Sequence, residues 1–166
     1  VAERARAAGL WIRGYVSTAF HCPYAGPVDP RQALSVTERL FALGCHEVAL
    51  ADTIGRATPR DVDRLLALAT RAFEPSRLAL HFHDTAGLAL ANVMIGLDYG
   101  ITVFDASAGG LGGCPFAPGA PGNLATERLL ALLEGLGIET GVDREAVAAA
   151  VAELREAVPG IGARAC

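Results

Sequence analysis

Residues 78–85 read LALHFHDT, an apolar run that ends in two histidines two positions apart. Side chains alternate between the two faces of a β-strand, so His81 and His83 share one face and Phe82 lies on the other. Asp84 or Thr85 can cap the apolar helical pattern that follows. The stretch predicts a strand that leads into a helix, with a histidine pair at its carboxyl end, where α/β folds place their sites.

Four units of a strand followed by a helix are predicted along the chain. The strands are expected at 11–18, 47–51, 78–83 and 101–107, and the helices at 30–43, 59–73, 86–99 and 124–137. Asp29, Thr58 and Asn123 stand where helix caps belong. A last helix is expected over 143–158, with Val147, Val151, Leu154 and Val158 on one stripe. This alternation is typical of parallel strands joined by right-handed crossovers.

Four such units form either a small open sheet or half of a (β/α)₈ barrel. Polar residues at the carboxyl ends of the strands favour the barrel: Asp52, His81, His83, Asp105 and Ser107. A loop rich in glycine and proline, residues 108–122, follows the fourth strand, where barrels often place an anion or cofactor site. We therefore predict an α/β fold in which residues 1–166 form the second half of a TIM barrel plus a C-terminal helix, with the first half outside this chain.

Composition limits the classes of function. The chain has 166 residues, of which 52% are hydrophobic and 19% charged, and this suits one globular domain with a core. A net charge of −4 with scattered arginines argues against a nucleic-acid partner. No apolar run is long enough to span a membrane and no leader pattern is seen, so we expect a cytoplasmic protein without a membrane partner. The four cysteines have no CxxC spacing, so we expect reduced thiols.

Several segments resemble the 3-hydroxy-3-methylglutaryl-CoA lyases. They are GYVSTAFHCPYAGPVDP (14–30), ADTIGRATP (51–59), LHFHDTAGLALANV (80–93), VFDASAGGLGGCPFAPGAPGNLATE (103–127) and LLEGLGIETGVD (132–143). The GGCP to GN loop separates this family from the isopropylmalate and homocitrate synthases, which share the histidine pair and the distal asparagine. The resemblance implies a TIM barrel that cleaves 3-hydroxy-3-methylglutaryl-CoA to acetyl-CoA and acetoacetate with Mg²⁺ or Mn²⁺.

The resemblance also implies roles for individual residues. His81, His83 and Asn123 match metal ligands of the family, Cys114 matches its catalytic thiol, and Glu127 resembles an active-site glutamate. A further ligand, an aspartate, and a neighbouring substrate-binding arginine would lie upstream of this chain. The chain departs from the family at Ala25, where a glutamate is expected, and at His21, which is bulkier than the usual residue.

The chemistry of these residue types suits the implied reaction. A retro-aldol cleavage removes a proton from a tertiary hydroxyl and must then hold a thioester enolate until it is protonated. Two histidines and an asparagine suit Mg²⁺ or Mn²⁺. His81 is a candidate for the base as well as for a ligand. Cys114, in a run of glycines that can close over the substrate, fits the acid that protonates the enolate.

For several of these residues the sequence leaves a second interpretation open. Asp52 and Asp105 either orient a metal-bound histidine or accept hydrogen bonds from backbone amides at a strand end. Glu127 is also explained as a first-turn acid favoured by the helix dipole. Asn123 is predicted to be both a helix cap and a ligand, since its amide has separate donor and acceptor atoms.

Two other functions also stay open. One is an acyl-CoA condensing synthase on the same barrel. The other is a fragment without activity, because half a barrel leaves two edge strands unpaired and part of the site missing. For the full-length protein we expect an acyl-CoA substrate and a homodimer.

Overall fold

The computed structural model describes residues 1–113 and 122–157. Its helices are α1 (Ala2–Ala7), α2 (Pro30–Ala42), α3 (Pro59–Ala72), α4 (Ala89–Asp98), α5 (Thr126–Gly135) and α6 (Arg144–Ala157). Its strands are β1 (Arg13–Val16), β2 (His21–Cys22), β3 (Gly26–Pro27), β4 (Glu47–Asp52), β5 (Leu78–Phe82) and β6 (Phe104–Asp105). Short 3₁₀ turns lie at Pro75–Arg77 and Ala108–Gly110.

Four strands form one parallel sheet in the order β1-β4-β5-β6. Ala51 pairs with His81, and His81 pairs with Asp105, so these residues lie level across the sheet. The strand-then-helix alternation that predicted parallel pairing is thereby confirmed, as is the α/β fold class. The carboxyl ends of all four strands meet at one edge of the sheet, which is where the candidate site lies.

Local sequence chemistry explains where the two longest helices of the strand–helix units begin. Asp29 accepts a hydrogen bond from the amide of Arg31 at 2.9 Å, ahead of a proline in the first turn of α2. Thr58 and Asp61 form a reciprocal capping box at the start of α3. Both helix starts were predicted from these residues, because a cap is a short-range interaction.

The core lies between the sheet and its helices. Leu50, Leu78 and Leu80 of the central strands are fully buried, together with Val62 and Leu66 of α3. In α4 the absence of a side chain at Gly96 sets the packing distance, because a Cβ there would lie 2.6 Å from Cδ1 of Leu80 and 2.8 Å from Cε1 of Phe104. The backbone of α4 therefore lies directly against the sheet.

The structure corrects the prediction that Asn123 caps a helix. Helix α5 begins at Thr126, its N-cap is Ala125, and no side chain caps it. Residues 122–125 run alongside the sheet edge instead: Asn123 forms an antiparallel bridge with His83, and the amide of Leu124 donates to the carbonyl of Phe82 at 3.0 Å. A bridge to a residue forty positions earlier satisfies this backbone, so no cap is needed.

Other predicted boundaries shift. Strands β1 and β6 are shorter than predicted, α4 begins at Ala89 instead of near Ala86, and the short hairpin of β2 and β3 lies where no strand is predicted. Asp84 accepts from the amide of Ala89 at 3.0 Å, so it does serve the start of α4.

The predicted apolar stripe of the last helix is only partly packed. Val151 is buried, Val147 is half-buried and Leu154 is exposed, whereas Val158 lies outside the described residues. No helix in the described part of the chain is both long and apolar enough to cross a membrane.

Candidate metal centre and active site

The histidine pair lies where β5 ends. His81 and His83 face the same side, with their ring centroids 5.3 Å apart, and Phe82 is buried against the helices on the other side. Strand alternation brings this about, as residues two positions apart share a face. The two rings are thus close enough to act on one bound species.

Asn123, which follows the glycine-rich segment in the sequence, lies beside the histidine pair. Its backbone pairs with that of His83, and its Nδ2 donates to the carbonyl of Leu111 at 2.8 Å. That bond directs the amide so that Oδ1 is left as the free acceptor. Oδ1 of Asn123 and Nδ1 of His83 are both buried with no hydrogen-bond partner in the described part of the chain. Buried polar atoms are rarely left unpaired. Oδ1 of Asn92 in α4 is unpaired as well, so it is their position beside His81 that makes these two atoms candidates for a shared cation.

His81 is oriented by Asp105. Its Nδ1 lies 3.2 Å from Oδ2 of Asp105. An ionised carboxylate can only accept, so Nδ1 carries the proton and the lone pair is on Nε2. This contact fits the predicted alternative in which Asp105 orients a metal-binding histidine.

Burial and neighbouring charges set the protonation states of Asp105 and His83. Burial acts to raise the pKa of Asp105, but the hydrogen bond from His81 and the charge of Arg13 outweigh it and hold the pKa below its usual value. Burial, reinforced by the neighbouring His81, lowers the pKa of His83. Asp105 is therefore ionised and His83 neutral at neutral pH, which are the forms that orient and donate to a cation.

The donor set fits a divalent cation in part. His81 Nε2, His83 and Asn123 Oδ1 offer two nitrogens and an oxygen, as hard or borderline cations accept. Within residues 1–113 and 122–157, no group of three or more His, Cys, Asp and Glu side chains is placed to hold a metal. The described residues thus supply three donors, one of them an amide, which leaves positions for other ligands and a substrate.

The remaining predicted residues have other contacts. Asp52, 1% exposed, accepts from the amides of Arg56 at 3.1 Å and Ala57 at 2.9 Å, while burial raises its pKa. These bonds fit the interpretation of Asp52 as a strand-end acceptor of backbone amides. Oε2 of Glu127 accepts from the amide of Gly109 at 2.8 Å, so this carboxylate ties α5 to the 3₁₀ turn.

The glycine-rich segment leaves and returns through one narrow point, formed by Gly112 and Gly122, which we call the neck. A Cβ on Gly122 would lie 2.1 Å from the carbonyl oxygen of Gly112, and the amide of Asn123 donates to that oxygen at 3.1 Å. The carbonyl of Gly122 accepts from the amide of Asp84 at 2.9 Å. Cys114, predicted to be catalytic, lies outside the described residues and follows the neck by two positions.

Sequence reasoning missed a group of residues beneath the histidines. Arg13 lies 2.8 Å from both Glu47 and Asp105, and its guanidinium covers the ring of Tyr15 at 5.1 Å. The ring of Tyr15 meets that of His81 edge-on, with centroids 6.5 Å apart. The available signal was alternation, because Arg13 and Glu47 are charged residues at inward positions of strands that are otherwise apolar.

Comparison with known proteins gives a consistent result. The HMGL-like family profile matches residues 1–165. The chain is 51% identical over 148 residues to hydroxymethylglutaryl-CoA lyase of Pseudomonas mevalonii, covering 89% of this chain and 49% of that protein. It is 52% identical over 143 residues to a cytoplasmic 3-hydroxy-3-methylglutaryl-CoA lyase of Danio rerio, covering 86% of this chain and 43% of that one. The chain thus spans about half the length of these relatives.

Solved structures agree in fold. Hydroxymethylglutaryl-CoA lyase of Pseudomonas aeruginosa superposes with a TM-score of 0.94 at 47% identity, covering 99% of this chain and 55% of that one. An HMG-CoA lyase of Acinetobacter baumannii, in complex with coenzyme A and 3-methylmalate, superposes with a TM-score of 0.86 at 41% identity, covering 93% and 50%. The predicted half of a TIM barrel is confirmed as a barrel fragment.

Proposed function

This chain belongs to the HMGL-like family, and from that membership we propose that it is the metal-binding half of a lyase that cleaves 3-hydroxy-3-methylglutaryl-CoA to acetyl-CoA and acetoacetate. The observation that carries the proposal is the convergence of His81, His83 and Asn123, in which Nδ1 of His83 and Oδ1 of Asn123 are buried without a partner. An acyl-CoA substrate is supported by the relative solved with coenzyme A.

We assign Mg²⁺ or Mn²⁺ to these three residues, with the remaining protein ligand supplied by the other half of the barrel. When bound, the cation would make the substrate hydroxyl more acidic and stabilise negative charge on oxygen. Asp105 holds the proton on Nδ1 of His81, so that Nε2 faces the site. The buried, uncharged His83 adds no positive charge that would repel a cation.

The proton at the hydroxyl must leave before the carbon–carbon bond breaks. His81 is the candidate base, and because Nδ1 is engaged by Asp105 only Nε2 is available to it. One nitrogen cannot take a proton and hold a cation at the same moment, so the two roles of His81 alternate.

The bond between C2 and C3 then breaks. The hydroxyl oxygen becomes the ketone of acetoacetate, and the electron pair of the broken bond passes to the thioester as an enolate. Cys114 donates a proton to the enolate carbon, which gives acetyl-CoA. Its position in the sequence, directly after the neck beside Asn123 and His83, supports this assignment.

We further propose that the active form is a homodimer of complete barrels.

We also propose a cytoplasmic location. It is supported by the relative from Danio rerio, which is named as cytoplasmic, although a relative from Bos taurus is named as mitochondrial.

The proposal is tested on a protein that joins this chain to the other half of the barrel, hereafter the complete barrel. Purified free of metal and then supplied with Mn²⁺, it should release acetyl-CoA and acetoacetate from 3-hydroxy-3-methylglutaryl-CoA in equal amounts. A parallel reaction with acetyl-CoA and a 2-oxo acid tests the condensing activity. A folded complete barrel that binds Mn²⁺ but releases no acetoacetate would show that the lyase assignment is wrong.

A further inference from the structure

Arg13 joins the amino end of β1 to the last strand of the sheet. Its Nε lies 2.8 Å from Oε1 of Glu47 on the adjacent strand, and its Nη2 lies 2.8 Å from Oδ1 of Asp105 on β6. The side chain is only 21% exposed. These contacts are ion pairs: Nε and Nη2 of Arg13 are buried and make no hydrogen bond of regular geometry within the described residues, so the guanidinium is held between the two carboxylates by charge.

The ion pair with Asp105 spans the whole sheet. β1 and β6 are the outer strands of the order β1-β4-β5-β6, and in a flat sheet they would lie about 14 Å apart. Direct contact shows that the strands curve towards each other, as in the wall of a barrel. The inward positions between them are occupied by Ala49 and Ala79, whose methyl groups leave room for a long side chain to cross.

The two oxygens of Asp105 meet different partners, and the carboxylate also interacts with the side chain of Tyr15. Oδ1 meets Arg13, and Oδ2 meets Nδ1 of His81 at 3.2 Å. The ion pair with the guanidinium favours the orientation of the carboxylate in which Oδ2 meets the imidazole. On the other side, the Arg13 charge stacks on Tyr15, whose ring edge meets His81.

We propose that Arg13 is a positioning residue for the metal site: it fixes the Asp105 carboxylate, which keeps the proton of His81 on Nδ1 and directs Nε2 at the cation. This inference rests on the proposed function, because it takes His81 to be a ligand of the bound metal. It extends that function to a residue that touches neither the cation nor the substrate.

The experiment compares Arg13→Gln with the wild-type complete barrel by two measurements. Nitrogen NMR of ¹⁵N-histidine-labelled, metal-free protein reports the tautomer of His81, and titration reports the affinity for Mn²⁺ alone. In the wild type we expect the proton on Nδ1. In Arg13→Gln we expect a mixture of tautomers and an affinity about 10-fold weaker, at the low end of the effect of outer-shell partners.

Arg77→Gln is the matched control. Arg77 donates to the carbonyls of Cys45 and His46, and its guanidinium lies 4.2 Å from the ring centroid of Phe41. Its loss removes a structural arginine at the amino end of β5, away from the histidine pair, so stability should fall while the His81 tautomer and Mn²⁺ affinity stay as in the wild type.

The outcomes separate this inference from the proposed function. If Arg13→Gln keeps the wild-type tautomer and Mn²⁺ affinity, the role of Arg13 is wrong even though the wild type cleaves its substrate. If the wild type cleaves nothing, the lyase proposal fails, and the tautomer of the metal-free variant still decides the role of Arg13. Should Arg13→Gln not fold, Arg13→Lys is measured instead, because a lysine keeps the charge but lacks the planar guanidinium that contacts both carboxylates here. Wild-type values in that variant would overturn the inference.

Discussion

Two asparagines of this chain make the same kind of bond in different surroundings. Nδ2 of Asn123 donates to the carbonyl of Leu111, and Nδ2 of Asn92 donates to the carbonyl of Ala57, each at 2.8 Å. Asn92 lies in α4 and is 1% exposed, whereas Asn123 faces the histidine pair. The two residues therefore allow metal binding and stability to be measured separately.

In the complete barrel we expect Asn123→Ala to weaken Mn²⁺ binding by more than the roughly 10–100-fold that loss of an outer-shell partner costs, because a direct ligand is removed. Asn92→Ala should leave Mn²⁺ affinity unchanged and lower the free energy of unfolding by about 1–3 kcal/mol, since a buried carbonyl loses its donor. Titration with Mn²⁺ and denaturation in urea measure the two effects. Equal Mn²⁺ affinities in the two variants would remove Asn123 from the ligand set.

Two cysteines test the assignment of the proton donor. Cys114→Ala should lower kcat of the complete barrel by about 10²–10⁴-fold with Mn²⁺ affinity unchanged, the range expected for losing a general acid. Cys22 is the control, because the backbone amides of Ala25 and Tyr24 lower the pKa of its thiol and make it a second reactive candidate. Cys22→Ala should retain kcat, and a loss of turnover there would move the acid to the hairpin of β2 and β3.

At the scale of single residues, the sequence predicted the histidine pair but not all of the side chains that position it. Strand alternation places His81 and His83 on one face from their spacing alone. Arg13 was missed because its partner Asp105 lies on the far strand of a curved sheet. Asn123 was misjudged as a cap because its pairing with His83 depends on chain positions forty residues apart. Spacing reports local geometry, whereas these contacts depend on how the sheet closes.

At the scale of elements, the neck leaves no room for an added methyl group at Gly122. Gly122 has a φ of +98°, and a Cβ there would lie 2.1 Å from the carbonyl oxygen of Gly112 and 2.7 Å from that of Gly110. Gly141 also has a positive φ, +70°, but a Cβ there meets nothing within 4 Å. At both positions an alanine would have to adopt an unfavourable positive φ, but only at Gly122 would its Cβ also collide with backbone atoms.

We expect Gly141→Ala to destabilise the complete barrel by about 1–2 kcal/mol, the cost of a left-handed backbone for an alanine. Gly122→Ala should cost more, because backbone atoms must separate, and it should also lower kcat by displacing Asn123 and the segment that carries Cys114. Thermal unfolding and initial rates measure both. If Gly122→Ala matched Gly141→Ala in both measurements, the close approach at the neck would be unimportant for the site.

The starts of α2 and α3, which local caps set, were predicted more accurately than the extents of the outer strands β1 and β6. The capping box of Thr58 and Asp61 and the cap at Asp29 are complete within four residues of sequence, so α2 and α3 begin where predicted. Strand β6 was predicted over 101–107, yet only Phe104–Asp105 pair as a strand. A strand extends as far as its neighbour does, and the apolar pattern of one segment holds no information on that.

For the whole molecule, the sheet is open at both sides. β1 and β6 each pair with one strand among the described residues, so each has a free edge where a closed barrel would have a neighbour. The described donors also number three, short of what a six-coordinate cation takes. The chain spans about half the length of its relatives, and the first half of a barrel that the proposed function assumes would resolve both features.

The two halves of the barrel should therefore complement each other. We expect residues 1–166 alone to bind Mn²⁺ more weakly than the complete barrel and to release no acetoacetate, because we propose that one metal ligand and the substrate-binding arginine come from the other half. Mixing this chain with a separately produced first half should restore both properties, as pairing at β1 and β6 closes the sheet. A chain carrying His81→Ala should associate with the first half without restoring turnover. Turnover by residues 1–166 alone at the rate of the complete barrel would show that the described donors suffice, and would contradict a site shared between the halves.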